Sequence, residues 1–408
     1  MKKILAMAAA IIAGAVAVPA QQQVLKDAER AMKDGKTPAE VVTIITPAFT
    51  NPETEGLAQT YFIPGKAMFG EFDQLYGLKQ FNKLPENGVI TMGNDLLNGY
   101  KYFMKALPLD SVPNEKGKIK TKYSKEIIGT LTGHIADYNQ AALDFWEVKD
   151  FNNAYNAWEC LLSMTKNPTF AEHLPAGFRV DTIISEIAFN QGIAAWQADS
   201  LAKALASFEY AKSKGYSKKS LYDYSLAVAQ SMGDMDKAYE IAVEAQPLYG
   251  KEDSQYIGFI INKYLQNKEF DKAFALIDEA IANDPDNAQY YLVKGILYDN
   301  QDKKAEAKAT FMKAVELDPN NSQALYNYGR MLCEEAYAIS DQAPTNPAES
   351  EVFYNEKIKP LFKEASQYLE RAWEADNDNV DALRYLENVY YNLQDETMMK
   401  DVEQRKNR

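Results

Sequence analysis

Histidine and cysteine are almost missing from this chain. Its 408 residues contain two of each: His134 and His173, Cys160 and Cys333. Neither histidine stands in an HExxH or another paired-ligand spacing, so no zinc-type site is expected. No strand pattern is convincing, and no glycine-rich phosphate loop follows one. An EF-hand loop is also absent. Acidic pairs such as Asp284 and Asp286 fall in turns, where Asp and Asn cap helices. These absences predict no catalytic residue, no metal and no cofactor, and the chain reads as a non-enzyme. Positive charge is short as well. The formal net charge is −14 and no face dense in Lys and Arg is evident, which argues against nucleic acid as a partner. Gly and Pro are scarce, at 20 and 16 residues, which argues against disorder.

Long apolar runs are missing too, with one exception at the start. Lys2 and Lys3 precede the apolar run Ile4 to Val18, and Val18-Pro19-Ala20 ends in small residues suited to cleavage before Gln21. Residues 1–20 therefore read as a secretory signal peptide. The run is short for a membrane span, so no stable span is expected after cleavage. No Cys lies near the cleavage point, so no lipid anchor is expected. The basic stretch Asn114–Lys122 reads as a solvated loop rather than an anion-docking one.

What is present in abundance is a period. Ser254 to Asn321 reads as two halves that superimpose at 34 residues: Ala273 on Ala307, Ala280 on Ala314, Pro285 on Pro319. Each half holds two amphipathic runs, the signature of a helical solenoid. Small residues let two helices approach, so Gly295 is expected to face Ala307, with Ala314 leaving room for the next unit. Tyr291, Tyr298 and Phe311 fill the space around those contacts, and Pro319 ends the second helix. One such unit cannot bury its apolar face alone; stacking makes a continuous core.

Tyr291, Gly295, Tyr298, Ala307, Phe311, Ala314 and Pro319 stand where the tetratricopeptide repeat expects them, and the unit resembles that family. The resemblance implies an all-α fold, a right-handed superhelix of about nine helix pairs with insertions. Divergent pairs are expected over 21–134, a regular array over 135–321, and a long unit with capping helices over 322–408. In the long unit, Cys333–Ser340 prolongs the first helix and Glu351–Ala375 forms a long second one. Asp401–Arg408 reads as a solvated cap. The late units also resemble a secreted group of such proteins in the Bacteroidetes, which implies a periplasmic location. Cys160 and Cys333 would lie five stacking steps apart, about 50 Å at roughly 10 Å per step. A disulfide needs Cα atoms within about 7 Å, so two free thiols are expected.

In this family one stripe of each first helix faces the concave groove. Spacing of 3, 4, 3 along a helix gives Ala136, Asn139, Leu143 and Trp146 in one unit and Glu186, Phe189, Ile193 and Trp196 in the next. Large apolar groups left facing water mark interaction sites, so these predict a groove for a protein or peptide partner. The alternative is a glycan or small ligand stacking on the groove aromatics. A carboxylate clamp of the chaperone-receptor kind is not supported, because its sites correspond to Asn139, Phe189 and Asp223.

Overall fold

The computed structural model describes residues 22–113 and 117–406. The expected signal segment, residues Asn114 to Lys116 of the basic stretch, and the last two residues of the expected C-terminal cap lie outside them. Among the described residues there is no β-strand. The chain forms two compact units, divided between Asp234 and Met235.

The first unit opens with α1 (22–33) and α2 (Pro38–Ile45). Pro38 occupies the first turn of α2, and Thr37 and Glu40 close a reciprocal capping box, so the helix starts where its free amides are satisfied. Long helices follow, α3 (Ala58–Gln80) and α4 (Gly88–Leu109). A connector leads to α5 (Ser124–Gly133), a helix that the sequence reading left unassigned. Asp110 anchors that connector: its carboxylate accepts from the amides of Lys122, Tyr123 and Ser124 at 2.7–3.0 Å. Then come α6 (Ile135–Glu147), α7 (Phe151–Lys166), the single turn α8 (Pro168–Ala171), α9 (Asp181–Gln197), α10 (Leu201–Ser213) and α11 (Lys219–Ser231). α3 packs on α4, α6 on α7 and α9 on α10.

The second unit holds α12 (Met235–Tyr249), α13 (Gln255–Gln266), α14 (Phe270–Asn283), α15 (Ala288–Asn300) and α16 (Lys304–Leu317). α17 (Ser322–Ser340), α18 (Pro347–Phe353), α19 (Lys359–Ala375), α20 (Val380–Leu393) and α21 (Glu396–Lys406) complete it. Asn287, Asn321 and Asn379 cap α15, α17 and α20, each side-chain oxygen accepting an amide two or three residues on. Asp284 and Asp318 are extended just before Pro285 and Pro319, as a residue preceding proline prefers, and both prolines are exposed two residues past a helix end. Ala273, Ala307 and Ala314 are wholly buried and Ala280 is buried at 9% exposure.

Two expectations need correction, and a third gains a partner. The side chain nearest Gly295 is Phe311: a Cβ added there would meet that ring at 2.5 Å. The same contact recurs where Gly192 lies beneath Phe208. A hydrogen at the glycine therefore makes room for an aromatic knob from the second helix, and the helix spacing follows from ring thickness. In the long unit the second helical stretch begins at Pro347, where Asn346 caps it, and passes through a π turn at Tyr354–Ile358 before α19. The terminal helix is more than a solvated cap. Val402 is fully buried, and Arg405 pairs with Glu370 at 2.5 Å.

The turns inside the pairs carry their own period. Lys149, Asp199, Gly233, Lys268 and Asp302 all have positive φ, between 55° and 71°. Lys149, Asp199, Lys268 and Asp302 each sit in a three-residue turn between the helices of a pair, where the backbone must reverse, and Gly233 sits in the three residues between α11 and α12. Only Gly233 is the residue that adopts this conformation without steric cost.

Candidate partner-binding faces

In the first unit, α6 and α9 are the first helices of two pairs, and they carry the expected groove residues. Leu143 is 41% exposed, while Trp146 and Trp196 are half-buried. Trp146 rests edge-on against Phe151 at 5.0 Å, so its pose is set by the start of α7. Trp196 rests edge-on against Tyr224 of α11 at 5.3 Å. Ile193 is half-buried beside it in sequence. Two expected contacts serve the core instead. Phe189 is 6% exposed, stacked on Tyr216 at 4.3 Å and tilted against Phe208 and Tyr224. The turn after α10 folds Tyr216 over it, which spacing along α9 alone does not reveal. Asn139 is half-buried and its side-chain oxygen accepts from the Trp158 indole N–H at 2.9 Å, so it orients a core ring. Tyr224 was missed by the sequence reading. It joins Phe189 to Trp196, and the local density of aromatics was the one available signal.

In the second unit a polar face crosses α15, α17 and α20. Arg330 bonds Asp299 at 2.6 Å and Glu334 at 2.5 Å, and Lys304 bonds the same two carboxylates at 2.7 and 3.0 Å. Burial alone would raise Asp299, but the hydrogen bonds from Lys304 and Arg330 hold its carboxyl below the usual range. Tyr326 meets Tyr385 edge-on at 5.7 Å, and burial pushes its hydroxyl up to about 12. This network is charge-balanced and hydrogen-bonded throughout, a rigid polar surface rather than a poised acid or base.

One titratable group stands apart. Asp95 on α4 is 5% exposed, and its Oδ2 has no hydrogen-bond partner. Burial, and then the neighbouring Glu71 of α3, push its carboxyl up to about 7. Cys160 and Cys333 are both buried as free thiols, and burial pushes both thiols up to about 12. Among the described residues no three His, Cys, Asp or Glu side chains gather as metal ligands, and no helix is long and apolar enough to cross a membrane.

Sequence models of the tetratricopeptide repeat match residues 288–321 and 310–343. These spans contain α15 and α16, with Gly295 beneath Phe311, and α17. Residues 288–343 are tetratricopeptide repeats. No protein of curated function matches it in sequence. Solved structures similar to this repeat protein include the C-terminal part of a TPR repeat-containing protein from Cytophaga hutchinsonii. That pair shares 14% identity over 65% of this chain and 93% of that one, with a TM-score of 0.39. YrrB, described as a TPR protein with an unusual peptide-binding site, shares 18% identity over 49% and 91%, with a TM-score of 0.31. A TPR repeats protein from Bacteroides fragilis shares 16% over 66% and 97%, with a TM-score of 0.30. The repeats of the present protein thus carry the assignment through their own sequence and helix pairs. In them the packing residues Gly295, Ala307, Ala314 and Ala273 are all inside, and half-exposed rings are left on α6 and α9.

Proposed function

We propose that this tetratricopeptide-repeat protein is a non-catalytic scaffold that holds a protein or peptide partner against the first-helix faces of its first unit. One observation carries the reading. Trp146 and Trp196 are half-exposed yet each is propped from behind by another ring. A large ring fixed in place before binding loses little freedom on contact, which is what a binding anchor requires. Leu143 widens the apolar surface beside Trp146. The N-terminal pattern of Lys2, Lys3 and the run to Ala20 supports export to the periplasm, and the partner would be met there.

The test is the double variant Trp146→Ala with Trp196→Ala. It should keep the helical circular dichroism of the parent and lose crosslinked partners recovered from the native compartment. Unchanged capture would defeat the reading. Capture of glycans in place of proteins, lost in the same variant, would shift it to ligand binding. Amino-terminal sequencing of the exported protein should begin at Gln21; retention of the apolar run would remove the proposed location.

A further inference from the structure

The second unit contains a cavity of about 720 Å³ between α16 and the prolonged α17. Its α16 wall is Ala305, Ala309 and Met312, spaced four and three residues apart on one helix face. Its α17 wall is Tyr328, Met331 and Ala338. Ala305, Ala309 and Ala338 are exposed, whereas Tyr328 and Met331 form the floor at 7% and 3% exposure. Lys304 and Lys308 edge the first wall, Glu334 and Glu335 the second. These charges reach toward each other: Lys304 bonds Glu334 at 3.0 Å, and Lys308 pairs with Glu335.

The walls run for eight residues on α16 and eleven on α17, which at 1.5 Å per residue is roughly 12–16 Å, or between two and three helical turns. Small side chains with the flexible Met312 on one wall, and Met331 on the floor, accept large apolar side chains from outside. The rim selects the charge of what enters. Two lysines face two glutamates, so an occupant of one sign satisfies one edge and leaves the other uncompensated. A fatty acid or anionic headgroup would set its carboxylate or phosphate beside Glu334 and Glu335. An occupant with acid along one flank and base along the other exchanges partners with both edges.

We propose that this groove is a second docking site, one that receives an amphipathic helix of a partner protein. That helix would carry an apolar stripe flanked by Asp or Glu on one side and Lys or Arg on the other. The groove is formed by the second helix of one pair and the first helix of the next, and it needs none of the aromatic residues invoked above.

The experiment uses the full chain and three labelled synthetic helices of 14 residues, each with the same leucine stripe. One has Glu on one flank and Lys on the other; the second has Lys on both; the third has Glu on both. Fluorescence anisotropy in low salt should show the mixed-flank helix binding at least tenfold more tightly than either single-sign helix. Ala309→Trp, a change at an exposed position, should fill the groove and abolish that binding without lowering the melting temperature. Lys304→Glu with Lys308→Glu turns the whole rim acidic and should transfer the preference to the all-Lys helix. The proposal is overturned if the all-Lys helix already matches the mixed one on the parent chain. It is also overturned if Ala309→Trp leaves binding intact, if dodecanoate displaces the mixed helix, or if Ala309→Trp instead dissolves a dimer of this chain.

Discussion

The pair α15/α16 and the longer pairs of the same chain solve one packing problem at different lengths. α15 and α16 have 13 and 14 residues, whereas α3 and α4 have 23 and 22, and α17 has 19. The short pair places Gly295 beneath Phe311. The pair α3/α4 makes the contact in both directions, Gly65 beneath Phe103 and Gly99 beneath Phe69, and α17 places Gly329 beneath Leu369. The point of closest approach is therefore kept while turns are added around it. The exceptions gather in the long pairs: Asp95 is buried in α4, and α17 extends far enough to carry Glu334 and Glu335. Helix spacing is fixed by a few small-to-large contacts, and length beyond them is free to take other roles.

The largest break in this comparison comes from removing the knobs. Phe311 and Leu369 are both fully buried, so Phe311→Ala should cost about 3–5 kcal/mol and Leu369→Ala about 2–5 kcal/mol. Urea unfolding measures both. A near-neutral Leu369→Ala would show that the long pair does not depend on the shared contact.

Asp95 offers a break of similar size that depends on pH. Its folded carboxyl titrates at about 7 against an ordinary 3.8, so folding favours the protonated form. Its contribution to stability is greatest below about pH 4, falls as pH rises toward 7, and stays low above that. At about 1.4 kcal/mol per pH unit the loss is at most about 4 kcal/mol. Asp95→Asn should remove this slope, melting well above the parent at pH 8 and little above it at pH 4. An equal difference at both pH values would assign the effect to something other than titration.

Gly295→Ala against Gly329→Ala sharpens the comparison further. The first drives a methyl into a ring at 2.5 Å, the second into the branched end of Leu369 at 2.8 Å. Overpacking costs about 1–3 kcal/mol, and a rigid ring yields less than a leucine, so Gly295→Ala should be the more damaging in thermal melts. The smallest effect is a gain. Asp302 holds φ at 58° in the turn before α16, so Asp302→Gly should stabilise by roughly 0.5–1 kcal/mol, the relief of steric cost less the entropy of glycine. A lower melting temperature would mean that the Asp302 side chain supports the turn.

Much of this fold is legible in the sequence because the repeat turns contact geometry into spacing. Ala273, Ala307 and Ala314 recur at fixed intervals, and every one is inside. That Phe311 reaches Gly295 was not legible, because spacing identifies small positions without saying which large residue covers them. Phe189 was misread for a related reason: a 3, 4, 3 stripe gives a direction on α9, but Tyr216 arrives from a turn. Trp146 and Trp196 are half-buried, each against a ring that the stripe alone does not identify. The left-handed turn residues were invisible because Lys149, Asp199, Lys268 and Asp302 stand where glycine would announce the conformation. Asp95 is hidden in the same way, one acid among the apolar neighbours Leu96, Leu97 and Phe103.

The two cysteines give the molecule a pair of internal clocks. Cys160 lies in the first compact unit and Cys333 in the second, each buried and each held almost wholly as the unreactive thiol. A thiol reagent in excess reaches either sulfur only when the helices around it separate. The labelling rate at each cysteine, resolved by peptide mass, therefore counts the openings of its own half of the chain. Native protein without any introduced label would report whether the halves breathe together or apart, and how often each does so.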